Sequence, residues 1–428
     1  MVILSVLLKG SAHLEFLELS PEEYQKFIES HFKQYTQSLE HFYARKQHGS
    51  QVHLLGVKND NGEVLAAGLF TAAPIFKYFN YVYSHRGPMM DYKHLELVQF
   101  YFKHLKAFYK KRLTIFMLID PYVPLNDRNF KGELLKHYDQ SKWMNVLNQL
   151  GYQHQGFTSG YSEMSQARWL SILNLKDKDE HMLLKQMEYN TSHSIKKALE
   201  MGVEVRDLSI NEIDTFYQLY HKAEVKHGFS LFSKPYFEQF LRNYPNIASM
   251  KLAYIQLDNH VHLLKQKSQE VQQKIEGMLP TEGASLSRKK QNKLQEQQII
   301  YDKLQENISE AYQLRSDYGD TLNLASAIFA QTEDELVYLI SGSDPTFNKF
   351  MGNYVLQWKM IQHAKRAQID RYNFYGITGD FTPDAKDYGV LQFKKGFGGY
   401  VEELVGDFIC PTRPLLYRLY QLKQSIKK

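Results

Sequence analysis

The segment Arg371 to Phe408, RYNFYGITGDFTPDAKDYGVLQFKKGFGGYVEELVGDF, concentrates residue types that can do chemistry. A tyrosine-rich strand and two close glycines lead into an acidic loop, then a basic-aromatic turn, FKKGFG, and a second short strand. Lys394, preceded by Phe393, offers an ammonium that can face a phosphate or a developing oxyanion. On spacing alone a surface lysine at a sheet edge is the plainer reading, with Lys395 on the opposite face if the segment is extended. Asp120 ends the apolar run TIFMLID and precedes Pro121. A strand-end carboxylate at a cleft can bind an amine, orient it or take its proton. From spacing alone, an Asp-Pro that initiates a turn is the better reading. Tyr338, in LVYLISG, carries a hydroxyl that can meet a substrate or, in a buried strand, a backbone carbonyl.

Several chemistries lack their signatures. There is no GxxxxGK[ST], no HExxH and no GxSxG in the chain. His227 and His363 stand without a matching ligand set and read as core or surface residues. Cys410 is the only cysteine, so neither an intrachain disulfide nor a cysteine zinc cluster can form, which fits a reducing cytoplasm. Nothing near Cys410 in sequence would lower its pKa and make it a nucleophile.

Those residues need a scaffold, and 428 residues are too many for one ordinary core, so two or three domains are expected. Hydrophobic residues make up 43% and charged ones 23%, which argues a globular chain and against whole-chain disorder. The net charge of +5 is too mild to argue nucleic-acid binding by itself. No apolar run approaches the ~20 residues that span a bilayer. Met1 to Leu8 is apolar but short and lacks a basic stretch before it; it reads as a start-site extension or a packed strand rather than a signal peptide.

The first part of the chain reads as β-β-β-α-β. QVHLLGVKND and EVLAAGLFTAAPIF form a hairpin around Asn61-Gly62. YVYSHRGPMMD continues the sheet, Leu95 to Lys111 has helical spacing, and TIFMLIDP returns as a buried strand. A second round begins at Arg168, with strands RWLSILNL, VEVRDL and KLAYIQL and a helix near Glu212 to Lys226. It resumes with strands LASAIFA and LVYLISG, a helix from Phe350 to Arg366, and strand RYNFYG. Between the two parts of this second round lies an insertion with an apolar seam. The seam falls at Val261, Leu264, Ser268, Val271, Ile275 and Met278, then at Leu294, Gln297, Tyr301, Leu304, Ile308 and Ala311. Spacings of 3 and 4 argue a coiled coil, and Pro280 and Gly283 break it into an antiparallel hairpin. From Asp258 to Asp317 the arm carries nine Lys plus Arg and nine Asp plus Glu. Only Arg288, Lys289, Lys290 and Lys293, beyond the turn, are locally basic. They read either as phosphate contacts or as a solvated or self-associating helix face.

The Arg371–Phe408 block resembles the C-terminal signature of the Fem family (FemABX) of non-ribosomal peptidyltransferases, and of its staphylococcal FemA-like members in particular. SHRGPMMDY (84–92), LIDPYVP (118–124), SIKKALEMGVEV (194–205) and SGSDPTFNKFMGNYVLQW (341–358) look like further family landmarks, in the family's order. The likeness begins near Leu14. It implies an α/β fold of two acetyltransferase-like (GNAT) subdomains with an inserted coiled-coil arm. Residues 1–165 would form the first subdomain, 166–257 and 318–428 the second, and 258–317 the arm. It also implies an enzyme that moves an amino acid, glycine or serine, from aminoacyl-tRNA to the interpeptide branch of lipid II. Such a protein would be cytoplasmic and peripheral at the inner membrane face, would need no cofactor, and could pair with itself or with related members. The reaction is aminolysis of an already activated ester, so the protein must align, stabilise an oxyanion and accept a proton.

On that resemblance Lys394 with Phe393 stabilises charge on the aminoacyl-tRNA, Tyr338 lies near the reacting centre, and Asp120 is a substrate-site carboxylate. Arg45 falls where many members place a lysine that contacts the precursor's phosphate, and Arg86 is a second candidate for acidic substrate groups; each could instead form a structural ion pair. Family members usually carry one or two arginines before IKKA, where this chain has Ser192 and His193. Any RNA contact there would pass to Lys196 and Lys197. Two rival readings are an acyl-CoA-dependent N-acyltransferase and a catalytically silent paralogue that binds partners.

Overall fold

The computed structural model describes residues 13–227, 232–279 and 287–427. Met1 to Leu8, the Pro280–Gly283 breaker and the side chain of His227 lie outside the described residues. Two mixed sheets organise the described chain. The first runs Glu15–Glu18, Val52–Lys58, Val64–Phe76, Phe79–Ser84, Thr114–Ile119, Phe408–Pro411 and Gln153–His154, with Met89–Met90 paired beside Val64–Phe76. The second runs Val203–Leu208, Ala248–Gln256, Thr321–Gln331, Leu336–Ser343, Arg371–Ile377, Trp169–Asn174, Tyr400–Leu404, Pro124–Arg128 and Leu134–His137.

Each sheet contains the same device. An antiparallel meander of three strands is followed by one long helix and a fourth strand laid parallel to the third. In the first sheet Leu95–Lys110 carries the chain from Phe79–Ser84 to Thr114–Ile119; in the second Gly352–Arg366 carries it from Leu336–Ser343 to Arg371–Ile377. A parallel pair needs such a crossover because the end of one strand and the start of the next lie at opposite ends of the sheet. Both helices bury one apolar face. Leu97, Tyr101 and Leu105 pack on Met117 and Ile119, and Leu356 and Ile361 pack on Ala327, Phe329 and Phe374.

The Asn61-Gly62 hairpin forms as expected. Asn59 Oδ1 accepts from Asn61 N at 3.1 Å and Glu63 N at 2.9 Å, and Gly62 adopts φ +77°, which favours glycine. Before it, the strand Glu15–Glu18 and the helices Pro21–Glu29 and Leu39–Gln47 precede the β-β-β-α-β series.

Sheet membership does not follow chain order. Pro124–Arg128 and Leu134–His137, from the first third of the chain, extend the second sheet, whereas Phe408–Pro411 enters the first. The segment Val405–Asp407 makes the crossing, with Val405 N donating to Val123 O at 3.0 Å. The two units are therefore stitched together by strands, and side chains from both can face one cleft.

The insertion is a hairpin of helices Leu257–Glu276 and Arg288–Tyr318. Asp258 meets Arg315 at 2.5 Å and Gln305 donates to Ser268 at 2.7 Å, so the two helices run antiparallel. The seam residues Val261, Leu264, Leu304, Ile308 and Ala311 pack together, as their spacing demands.

Candidate active site

The parallel strands Phe79–Ser84 and Thr114–Ile119 are in register to their last residues, Ser84 opposite Ile119. Their carboxyl ends therefore deliver Arg86 and Asp120 to one point. Arg86 takes φ +57°, an uncommon conformation for a non-glycine residue, and its N–H donates to Asp120 Oδ1 at 2.7 Å. Its guanidinium lies 3.7 Å from Asp120 Oδ2, donates to Ala167 O at 2.6 Å and sits over the Tyr122 ring. Of its two readings, the structural ion pair is the one present. Burial raises the Asp120 carboxyl to about 6, against the opposing pull of Arg86. Asp120 lines a cleft with Arg86, Thr158, Ser162, Gln166 and Arg168.

Lys394 approaches from the other sheet. It is not on an extended segment or at a sheet edge: Tyr388–Lys395 is a helix, and Lys394 is only 4% exposed. Helical spacing puts Lys394 with Leu391 on the inner face and leaves Lys395 outside, paired with Glu188 at 3.0 Å. Lys394 Nζ donates to Gly376 O at 2.7 Å and to Tyr375 O at 3.3 Å. A protonated lysine has three N–H bonds, so one is left over. Burial lowers Lys394 to about 7, with Asp387 pulling the other way. The following glycines allow the close packing: a Cβ at Gly396 would lie 2.0 Å from Thr191 Oγ1, and one at Gly399 2.2 Å from Ile172 O.

The two groups are connected through Tyr375. This residue adopts φ +67°, held by Asn373 Oδ1, which accepts from Tyr375 N at 2.8 Å. Its carbonyl takes the Lys394 bond, and its hydroxyl donates to Gln166 Oε1 at 2.6 Å. Gln166 N in turn donates to Tyr83 Oη at 3.1 Å and Asp120 Oδ2 at 3.3 Å. Tyr375 and Gln166, each bonding through both backbone and side chain, thus link Lys394 to Asp120. Left-handed backbone at two non-glycine residues around this link is the kind of strain that functional sites hold.

Phe393 is half-buried and packs edge-on to Tyr354 and Phe397. Tyr338 packs against the same core cluster, beside the point where strand pairing to Arg371–Ile377 ends at Val337 opposite Asn373. Its hydroxyl meets Ser341 Oγ rather than a backbone carbonyl, and burial pushes it up to about 12.

Arg45, on helix Leu39–Gln47, has no carboxylate partner among the described residues. Its Nε lies 3.4 Å from His41 Nε2, and its charge bears on His85, Tyr35 and Tyr244. Burial and this charge lower His85 to about 3. Lys196 and Lys197 are exposed on helix Tyr189–Glu200, and Arg288, Lys289, Lys290 and Lys293 are exposed on the first turns of helix Arg288–Tyr318. The two basic sets are not brought together. Lys197 lines a groove at the root of the arm with Leu264 and Ala311. Lys303 of that groove lies ten to fifteen residues along helix Arg288–Tyr318 from the other set, which puts that set about 15–22 Å away toward the tip.

Several residues at this site carry no sequence signal. Glu335, fully buried, accepts from Arg371 Nε at 3.2 Å, Tyr122 Oη at 3.0 Å and Asn373 Nδ2 at 3.1 Å, and Arg371 also binds Glu402 at 2.6 Å. These partners lie far apart in sequence, and only a buried charge's need for partners would have hinted at them. Gln166 and Tyr375 were likewise invisible, because neither positive φ nor a long-range hydroxyl contact is written in residue type. Cys410 is buried, and burial raises its thiol to about 12. His363 meets Gln331 at 2.7 Å. Among the described residues no group of His, Cys, Asp and Glu is arranged to hold a metal ion.

Comparison with known proteins agrees with this architecture. The FemAB family matches residues 19–425. Aminoacyltransferase FemA from Staphylococcus aureus, strains bovine RF122 / ET3-1 and NCTC 8325 / PS 47, is 34% identical over 416 residues, covering 97% of this chain and 99% of each relative. The crystal structure of FemX superposes with a TM-score of 0.78 at 23% identity, over 95% of this chain and 99% of that one, which supports the fold alone. The chain therefore belongs to the FemAB family and is an aminoacyltransferase.

Proposed function

We propose that this aminoacyltransferase moves glycine, or serine, from aminoacyl-tRNA to a primary amine on the interpeptide branch of lipid II. The observation that carries the reading is the Lys394–Tyr375–Gln166–Asp120 chain, which joins a buried ammonium on one sheet to a buried carboxylate on the other. The acceptor amine attacks the ester carbonyl and forms a tetrahedral oxyanion. The remaining N–H of Lys394 stabilises that oxyanion, or the terminal phosphate. The C–O bond to the ribose then breaks and the amide forms. Asp120, with a pKa near 6, is ionised at neutral pH and accepts the amine's proton, which passes on to the leaving ribose oxygen. Arg45, a cation with no carboxylate partner among the described residues, would hold the precursor's phosphate, and Tyr338 would line the acceptor's path. No helix among the described residues is long and apolar enough to cross a membrane. The enzyme would meet its lipid-linked acceptor as a peripheral protein of the cytoplasmic face.

The test is transfer in vitro. The protein is incubated with individual charged tRNAs and lipid II analogues of different branch lengths, and products are read by mass. One added residue on one branch length is expected, abolished by RNase. Transfer that persists from an acyl-CoA donor without RNA would overturn the reading.

A further inference from the structure

One exposed helix face is unused by the site just described. Helix Tyr189–Glu200 is twelve residues long, about 18 Å. At its start it abuts the turn that follows Lys394: Glu188 N donates to Gly396 O at 2.9 Å. At its end it meets the root of the arm, where His260 Nδ1 lies 2.8 Å from Met201 O and Lys267 pairs with Glu200 at 3.2 Å. Its inner face is anchored by Thr191, Ile195 and Ala198. Tyr189, His193, Lys196 and Lys197 follow at spacings of 4, 3 and 1, so they share the outer face. Tyr189 is 77% exposed, an unusual setting for a tyrosine ring. It stacks on His193 with centroids 5.6 Å apart and planes 12° from parallel, making one exposed aromatic platform of two stacked rings. Lys196 and Lys197 have no carboxylate partner among the described residues.

We propose that this face is an RNA track: the Tyr189–His193 platform receives an unpaired base, and Lys196 and Lys197 meet the flanking phosphates. The charge is complementary to a polyanion, and a bare ring beside unpaired lysines is the pairing that binds single-stranded RNA. The helix that carries the platform starts beside the turn that follows Lys394, which suits the unpaired end of an RNA that carries its amino acid to that site. The inference rests on the aminoacyl-tRNA reading above. It assigns the RNA contact to the platform and its two lysines rather than to the tip of the arm.

Binding to full-length protein separates the two. The probes are an RNA minihelix ending in an unpaired 3′ strand and the same minihelix blunt-ended. Wild type is expected to prefer the unpaired end. Tyr189→Ala should weaken binding of that end about 5- to 100-fold, leave blunt RNA unchanged and keep the salt dependence. Tyr189→Phe, which keeps the ring, should bind as wild type. The Lys196→Ala/Lys197→Ala double variant should weaken both RNAs and lower the salt slope by about one to two. Wild type that binds neither RNA overturns the aminoacyl-tRNA reading and this inference with it. Wild type that binds, with Tyr189→Ala still preferring the unpaired end or the double variant keeping its slope, overturns this inference alone. Binding lost from phosphatidylglycerol vesicles but not from RNA would assign the face to the membrane and overturn it too.

Discussion

The strand Arg371–Ile377 holds two cationic centres built in opposite ways, a half-buried Arg371 and a buried Lys394. At its start Arg371 is clasped by Glu335 and Glu402, with Tyr122 and Asn373 also donating to Glu335 Oε2. Near its end the carbonyls of Tyr375 and Gly376 hold Lys394, and no carboxylate reaches its ammonium among the described residues. The first arrangement fixes a charge permanently. The second leaves a lysine near its neutral point at about pH 7, with one N–H uncommitted. A charge clasped by carboxylates ties strands of the second sheet together; one that is underpaired is available to a substrate. The underpaired centre also costs stability. Between about pH 7 and the ordinary lysine range, folded Lys394 binds fewer protons than unfolded, so its cost is greatest at low pH and fades as pH rises through that window.

This contrast can be broken from the paired side first. Arg371→Met leaves Glu335 and Glu402 buried without their cation. A loss of about 3–5 kcal/mol is expected in denaturant unfolding. A variant with an unchanged midpoint would show that the network is not structural.

Lys394→Met should do the reverse. Transfer should fall about 10²-fold or more, roughly 2.7 kcal/mol of barrier. The melting temperature at pH 7 should hold or rise, because an uncompensated buried ammonium has gone. Wild-type turnover, or a lowered melting temperature with normal turnover, would remove Lys394 from the chemistry.

The pH profile sharpens the comparison further. If ionised Asp120 accepts the proton and protonated Lys394 stabilises charge, kcat/KM should rise with pH through about 6 and fall above about 7. Asp120→Asn should abolish the rising limb in whatever activity remains. An unchanged profile in that variant would place the base elsewhere.

The smallest effect concerns the link between the centres. Tyr375→Phe removes only the hydroxyl bond to Gln166, worth about 0.5–1.5 kcal/mol, so kcat should drop roughly 2- to 10-fold with KM unchanged. Gln166→Ala should cost a similar amount, and the double variant little more than either. Fully additive losses would mean that the two residues act independently.

Much of the scaffold was legible because its signals are local. The Asn61-Gly62 turn, the helical spacing of Leu95 to Lys110 and the arm's seam each depend on residues a few positions apart. Some local signals were present but unread: Ser20 and Glu23 form a capping box at the start of helix Pro21–Glu29. The helix Tyr388–Lys395 was harder, since a strand reading of QFKK is equally short. That choice decided whether Lys394 was a surface cation or a buried one.

The sequence by itself determined which residues could do chemistry, the α/β class, the inserted helical hairpin and the family likeness, because residue type and short-range period are written in it. Only the tertiary structure decided that Arg86 and Asp120 meet at the ends of two parallel strands, that Glu335 and Glu402 clasp Arg371, and that Tyr375 bridges to Gln166 across 209 residues of sequence. It also decided that Phe408–Pro411 and Pro124–Arg128 lie in sheets away from their chain neighbours. Those contacts bring together groups whose separation along the chain carries no periodicity. Burial then shifts their protonation, and burial is a property of the packed whole rather than of any segment.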